Sequence, residues 1–420
     1  MNNSQTKYVV IVDPFSSGAL LAPYFTDSGY SCIAVLSREI PELFKGSFRP
    51  EDFSATHLMK EYVKLLGTLK AYKPVAILPG SELGVELADL LAQEFLLSGN
   101  DPELSSARRD KYLMQQTIAD FGIRSIKQTH AATAEQVSAW RDQQEIGYPI
   151  VIKPIASAGT DSVHLCYDDE DVAAALADIV GVSNVLSETN TAALIQEFVE
   201  GDEYIVDAVS CDGRHFTTNV CRYKKTKHNK SFTYLESEFF DPNKDEFAEL
   251  VAYNNLVLDA LKINFGPSHS EIILTESGPV LVEVGARLNG GNAPQLVSEV
   301  ATVNPLKLVV ASYTSADTFA ELTAAPQQFN ANAMMKFLTI EDAGEVERIE
   351  GLCEIETLAS CKRLLSFVNV GDHVTPTRSF VNCPGWAILI NSDPQQFYAD
   401  VKAVEQINAA AIFRTREVQL

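Results

Sequence analysis

The chain has 420 residues, 46% of them hydrophobic and 21% charged, enough apolar material to bury the cores of roughly two to four domains. Its formal net charge of -23 argues against a nucleic-acid partner, because binding a phosphate backbone needs a basic footprint. A single nucleotide is not excluded, since a few cations and a metal ion can reverse the field locally.

MNNSQTK, ahead of YVVIVD, lacks the features of a secretory signal, and no apolar run reaches membrane-spanning length, so a cytoplasmic protein with no membrane partner is expected. The first part of the chain alternates between strand and helix signals. Tyr8–Val12 is apolar, a helical stretch follows Ser16, Cys32–Leu36 is apolar, a helix is expected over Ser54–Lys70, Val75–Leu78 is apolar, and a helix starts at Ser81. That order predicts a parallel sheet flanked by helices, with ligands met by the loops Asp13–Ser17 and Pro79–Glu82 at the strand carboxyl ends. SSARRDKYLMQQTIADFG reads as a helix capped by serine and stopped at Gly122.

From Tyr148 the pattern becomes strand-rich. YPIVIKPIASAGTDSVHLC is a strand, a loop of small residues and a second strand; a helix over Asp168–Val180 follows, then strands near Ala192–Gln196, Tyr204–Cys211 and His215–Cys221. A helix near Pro242–Leu261 leads to the strand pair GPSHSEIILT and PVLVEVGARLNGG, and beyond residue 313 a loop, AAPQQFNANA, precedes a strand-rich tail. The 7 cysteines, Cys32, Cys166, Cys211, Cys221, Cys353, Cys361 and Cys383, form no CxxC pair, so neither a disulfide framework nor a zinc site is expected.

Glu271 and Glu283 are the most informative residues, because their spacing converts into geometry. Thr275-Glu276-Ser277-Gly278-Pro279 reads as a hairpin turn whose loop is Glu276 to Gly278, with Gly278 in the left-handed position. Symmetric pairing about Ser277 sets Thr275 opposite Pro279 and Glu271 opposite Glu283, both carboxylates on one face with Cβ atoms about 5 Å apart. Opposed like charges call for a cation, and magnesium, with manganese able to substitute, suits two carboxylates. A two-residue loop would shift the partner by one and part the two faces. Arg287 follows in EVGARLNGG, where glycines allow close approach and a guanidinium can fork onto phosphate or carboxylate.

Lys153 ends the apolar run Ile150-Val151-Ile152, and a buried lysine needs an anionic partner. The loop Ile155–Ser162 after it, with Ser157 and Gly159, is built to fold amides and hydroxyls over phosphates. In AALIQEFVEGDEY, the backbone of Gln196, Glu197, Phe198 and Val199 can read an adenine, and Glu203 can accept from ribose hydroxyls; an ordinary acidic turn is the competing reading. The basic run Arg222–Lys227, which includes Lys225, reads either as a solvated loop or as a lid over phosphate or substrate.

Taken in order, DKYLM with Lys111, YPIVIKP with Lys153, the small-residue loop, QEFVEGDE, and Glu271, Glu283 and Arg287 at E-x11-E-x3-R resemble the ATP-grasp superfamily. ILPGSELGVELADLLA, ARRDKYLM, GPSHSEIIL and VEVGARLNGG are similar to its L-amino-acid ligases. The resemblance implies an N-terminal α/β domain at 1–105, a two-part ATP-grasp domain at 106–315 (a small ATP-covering part, 106–195, and a large metal-binding part, 196–315), and a small C-terminal α+β domain at 316–420. It also implies ATP and Mg2+ as cofactors, Lys111 and Lys153 on the phosphates, Gln196 to Val199 on adenine, Glu203 on ribose, metal on Glu271 and Glu283, and Arg287 on developing charge. Many ATP-grasp enzymes carry E-x-N at the second glutamate; here Gly285 stands in the asparagine position, with Asn289 as a substitute oxygen ligand.

The chemistry expected is attack of a carboxylate on the γ-phosphate, then displacement of phosphate by an amine, joining two amino acids or an amino acid and a related amine. His269, two residues before Glu271 on the same strand face, is a candidate contact to the acyl phosphate or acceptor, or else a packing histidine. Glu82 in PGSELG is placed to bind a substrate ammonium or to cap a helix, and Gly290 beside Arg287 leaves room for an acceptor. Rival readings are a bicarbonate-activating carboxylase of the same superfamily and a nucleotide-binding regulator without turnover. A homodimer is among the assemblies the sequence allows.

Overall fold

In a computed structural model the described residues are 6–155, 162–183, 189–228, 231–378 and 382–416, with no side chain described at 43, 227, 228, 231 or 232. They form two compact units. The first comprises Met1–Ile126, Ile205–Val220 and Asp241–Gln328, the second Lys127–Tyr204, Cys221–Phe240 and Phe329–Leu420.

The first unit opens with a parallel sheet in the order Ala55–Leu58, Ser31–Leu36, Tyr8–Val12, Ala76–Pro79. Side chains alternate between two apolar layers. Val10, Val12, Ile33 and Val35 pack with Leu65, Leu69, Leu87 and Leu91, whereas Val9, Ile11, Cys32 and Leu78 pack with Leu21, Phe25, Leu306 and Val309. A parallel sheet buried on both faces reads as the continuous apolar runs seen in these strands. The helix expected over Ser54–Lys70 is corrected: Ala55–Leu58 is an edge strand and the helix is Tyr62–Tyr72. Backbone donation from Ser54 to Cys32 and from Met59 to Leu36, both at 2.8 Å, brackets that strand, so tertiary pairing overrides the local pattern. The connecting helix is Lys111–Asp120, and its cap is Asp110, which accepts from Tyr112 and Leu113 amides, rather than a serine. The unit also holds Gly278–Gly285 and Gly266–Thr275, with 205–211 of the strand Asp202–Cys211 and 214–220 of the strand Arg214–His228, neighbours in that order.

In the second unit, Gln128–Ala131, Ala193–Glu197, Ile150–Pro154 and His164–Cys166 make an antiparallel sheet in that order. Helices Ala134–Gln144 and Asp169–Ile179 cover it through Val137, Trp140, Val172 and Leu176. Further on, Ser231–Phe240, Asn332–Phe337, Gly385–Asn391 and Cys361–Ser366 are neighbours in that order, with the helix Pro394–Ala409 packed on them through Phe397, Val401 and Val404.

The basic run is a strand segment rather than a loop. Arg222 donates to Glu238 at 2.8 Å, Lys224 lies 3.4 Å from Glu236 and 3.6 Å from Glu405, and Lys225 turns to the other face. Lys336, almost fully buried, donates to Glu236 and, at 2.7 Å, to Glu405 Oε1. Lys336→Met would leave Glu236 buried with only the distant Lys224 as a partner, so a loss of about 3 kcal/mol of stability is expected by denaturant titration.

Candidate active site

The Gly266–Thr275 and Gly278–Gly285 strands do set Glu271 opposite Glu283, but by a different route from the one the sequence suggests. Thr275 pairs with Gly278, so the turn has two residues, Glu276 and Ser277, and Gly278 carries the positive φ of 105°. Such a turn alone would part the carboxylates. A bulge corrects the count: Ile272 pairs with Leu281 while Glu271 pairs with Glu283, leaving Val282 as the extra residue. Two errors in the expected geometry cancel.

With this pair the first unit holds Glu82, Lys111, His269, Arg287, Asn289 and Gly290 of the predicted site. Lys111 Nζ lies 2.7 Å from Glu283 Oε2. Burial alone would depress that ammonium's pKa; Glu283, with Glu82 and Glu271, outweighs burial and holds it above the ordinary lysine range. Arg287 Nε donates to Glu82 Oε2 at 3.1 Å and its Nη1 to the Leu288 carbonyl at 3.0 Å, so Glu82 is an arginine partner here rather than a helix cap. Arg109 stands 4.0 Å from the same carboxylate and 3.8 Å from Glu86.

His269 is buried, with Nδ1 2.8 Å from Asp207 Oδ1 and Nε2 3.7 Å from Glu271 Oε1. Burial disfavours the imidazolium, but the hydrogen bonds to Asp207 and Glu271 push its pKa up to about 9, leaving it charged at neutral pH. Asp207 Oδ2 also accepts from Asn219 at 2.9 Å and from Asn289 at 3.0 Å. Asp207 is therefore a hub that composition did not reveal, although an aspartate inside the apolar run IVDAV was a signal in plain view. The Asn289 amide nitrogen is committed to it. Gly290 is exposed, and a Cβ there would meet nothing within 4 Å.

Gly285, in the position where many ATP-grasp enzymes have asparagine, has a local reason to be glycine. A Cβ there would lie 2.9 Å from Glu82 Oε2 and 3.2 Å from Arg287 Cζ. Because both are ends of flexible side chains, Gly285→Ala should change the melting temperature little yet displace the pair. A drop of about tenfold in kcat/KM is the expected reading of steady-state assays.

The second unit carries the other predicted residues. Lys153 is buried in the Ile150–Pro154 strand, paired in register with Leu194. Gln196 is buried, its amide 3.2 Å from Gln128, and Glu197 Oε1 accepts from the Lys127 amide at 2.9 Å; Phe198 and Val199 are half-buried just beyond the strand end. Lys225 Nζ donates to both oxygens of Glu203 at 2.7 Å and lies 4.3 Å from the Tyr234 ring centroid. Ser157 and Gly159 lie outside the described residues.

Comparison with known proteins decides the family. An ATP-grasp domain model matches residues 146–295, and a model of the L-amino acid ligase C-terminal domain 2 matches 336–406. Dapdiamide A synthase of Enterobacter agglomerans is 30% identical over 419 residues, covering 96% of this chain and 97% of that protein. The chain belongs to the L-amino-acid ligase branch of the ATP-grasp superfamily. The ligase also resembles the L-arginine-specific L-amino acid ligase of Bacillus subtilis, at 23% identity over 53% of this chain and 54% of that one. Its fold matches the crystal structure of the L-amino acid ligase from Bacillus licheniformis with a TM-score of 0.75 at 17% identity, over 96% of this chain and 98% of that one. Like its relatives the ligase is an ATP-dependent, amide-bond-forming enzyme. Among its described residues no helix is long and apolar enough to cross a membrane.

Proposed function

We propose that this ligase activates the carboxylate of one amino acid on the γ-phosphate of ATP and passes the acyl group to the amine of a second, releasing ADP and phosphate. The observation that carries the reading is the facing pair Glu271 and Glu283, with Lys111, His269 and the Glu82–Arg287 pair around it. Two carboxylates on one face fit magnesium, which takes one or two protein carboxylates and fills its shell from water and phosphate. No group of three or more His, Cys, Asp or Glu able to hold a metal is found among the described residues, consistent with an ion that draws its other ligands from the nucleotide. Held by Glu271 and Glu283, magnesium would supply positive charge to neutralise the negative charge that develops on the transferring phosphoryl group.

The chain's own residues do the rest. Lys111 and Lys153 hold phosphate oxygens, Gln196 to Val199 present backbone to adenine, and Glu203, oriented by Lys225, takes the ribose hydroxyls. Arg287, aimed by Glu82, stabilises charge on the transferring group, while the charged His269 donates toward the acyl phosphate. Glu82 meets a substrate ammonium through Oε1, which Arg109 approaches only to 4.0 Å, and Asn289 and Gly290 border the acceptor. Cysteines in the thiol form suit a cytosolic enzyme.

A phosphate-release screen with amino acids singly and in pairs, followed by mass analysis of the product, tests the reading. Release that requires a pair, with a product lighter than the sum by one water, is expected. Release driven by bicarbonate alone would overturn it in favour of a carboxylase.

A further inference from the structure

The bulge at Val282 decides which way Glu283 faces, and its backbone groups have to be satisfied from outside the ladder. Among the described residues Gly278–Gly285 is the outermost strand of its sheet, with Gly266–Thr275 as its one neighbouring strand. Gln115, 1% exposed on the Lys111–Asp120 helix, donates from a single Nε2 to the Leu281 carbonyl at 2.7 Å and, more weakly, to the Val282 carbonyl at 3.4 Å. In a regular strand successive carbonyls point to opposite edges, so one donor reaches two in a row only where the strand is bulged. The orientation of the amide is itself fixed, because Gln115 Oε1 accepts from the Ile126 amide at 2.9 Å. Flanking groups complete the seal: the Leu281 amide donates to Tyr253 Oη at 2.8 Å, and the Val284 amide lies 3.2 Å from Met114 Sδ.

We propose that Gln115 is a positioning residue for the carboxylate pair, holding the Val282 bulge and thereby keeping Glu283 opposite Glu271. This inference rests on the metal reading of that pair. Without the Gln115 donor, two carbonyls in the buried flank of the strand lose their partner, and the strand relieves this by straightening. A one-residue slip then sets Val282 opposite Glu271 and turns Glu283 to the other face. The helix that carries Gln115 also carries Lys111, so a single element fixes both the backbone of the bulge and the carboxylate the bulge presents.

The test uses the full chain with Gln115→Met, similar in length but with neither donor nor acceptor, and Gln115→Glu, which keeps the acceptor for Ile126 and replaces the donor by an oxygen. Mn2+ affinity is read by electron paramagnetic resonance in the presence of ADP, hydrogen exchange is followed at the Val282–Val284 amides, and ADP affinity is measured without metal. Mn2+ binding weaker by about tenfold or more, faster exchange at those amides and unchanged metal-free ADP affinity are expected. Glu283→Gln is the control. If it loses Mn2+ while both Gln115 variants bind like the parent, Gln115 does not position the pair and the metal reading stands. If Glu283→Gln binds Mn2+ like the parent, the metal reading fails, and unchanged exchange at Val282–Val284 in the Gln115 variants would overturn the bulge-holding role as well. Should Gln115→Met not fold, Gln115→Glu carries the comparison.

Discussion

Replacing Glu283 by glutamine should bring ADP release down by about 10³-fold or more while the protein stays folded. The substitution keeps the size and shape of the side chain and removes only charge. A neutral amide oxygen is a poor ligand for a hard cation, and Glu271 alone would hold the proposed magnesium more weakly than the pair. The cost to stability is small. Glu283 is about one-fifth exposed, and Lys111 retains the fields of Glu82 and Glu271, so a loss of about 1–2 kcal/mol is expected. A coupled ADP assay with the best amino-acid pair, run beside thermal melting, checks both halves. Turnover close to that of the parent would remove the metal assignment.

Arg287→Met should lower kcat by about 10²–10³-fold and change the KM for ATP by no more than about threefold. The split is the informative quantity. Arg287 is aimed by Glu82 at 3.1 Å and by the Leu288 carbonyl at 3.0 Å, so its guanidinium is held in place before substrate arrives. A donor fixed in this way acts most strongly on charge that develops during transfer. Parallel loss of kcat and ATP affinity would instead make Arg287 a ground-state nucleotide contact. Gly285 belongs to the same argument, since its missing side chain is the space in which the Glu82–Arg287 pair meets.

Different parts of this molecule were legible in the sequence to different degrees, for physical reasons. Strands buried on both faces, such as Tyr8–Val12 and Ser31–Leu36, declare themselves as apolar runs. The edge strand Ala55–Leu58 does not, because one of its sides is unpaired and its residues are only partly buried. The alternation of Arg222, Lys224 and Lys225 between faces was hidden by reading them as one block of charge, when Arg222 and Lys224 meet Glu238 and Glu236 on one neighbouring strand and Lys225 meets Glu203 on another. Of the charged residues the sequence singles out, Glu271, Glu283, Arg287 and Lys111 gather in the first unit, and Lys153 lies buried in the second. Those that hold them were missed. Asp207 and Gln115 act through hydrogen bonds to groups distant in the chain, and no local spacing encodes that. The turn was misassigned because Gly278 supplies its positive φ one residue later than a three-residue loop would require, and a bulge leaves no trace in composition.

The E-x11-E spacing is therefore a count and not a conformation. A three-residue loop with a straight ladder and a two-residue loop with one bulged residue consume the same eleven positions and deliver the same opposed carboxylates. Loop and bulge are exchangeable currencies of chain length. A homologue could gain a residue at the hairpin tip and shed one at the bulge with its carboxylate pair undisturbed, whereas either change alone would turn one glutamate away. Insertions and deletions in this hairpin should thus be tolerated in compensating pairs.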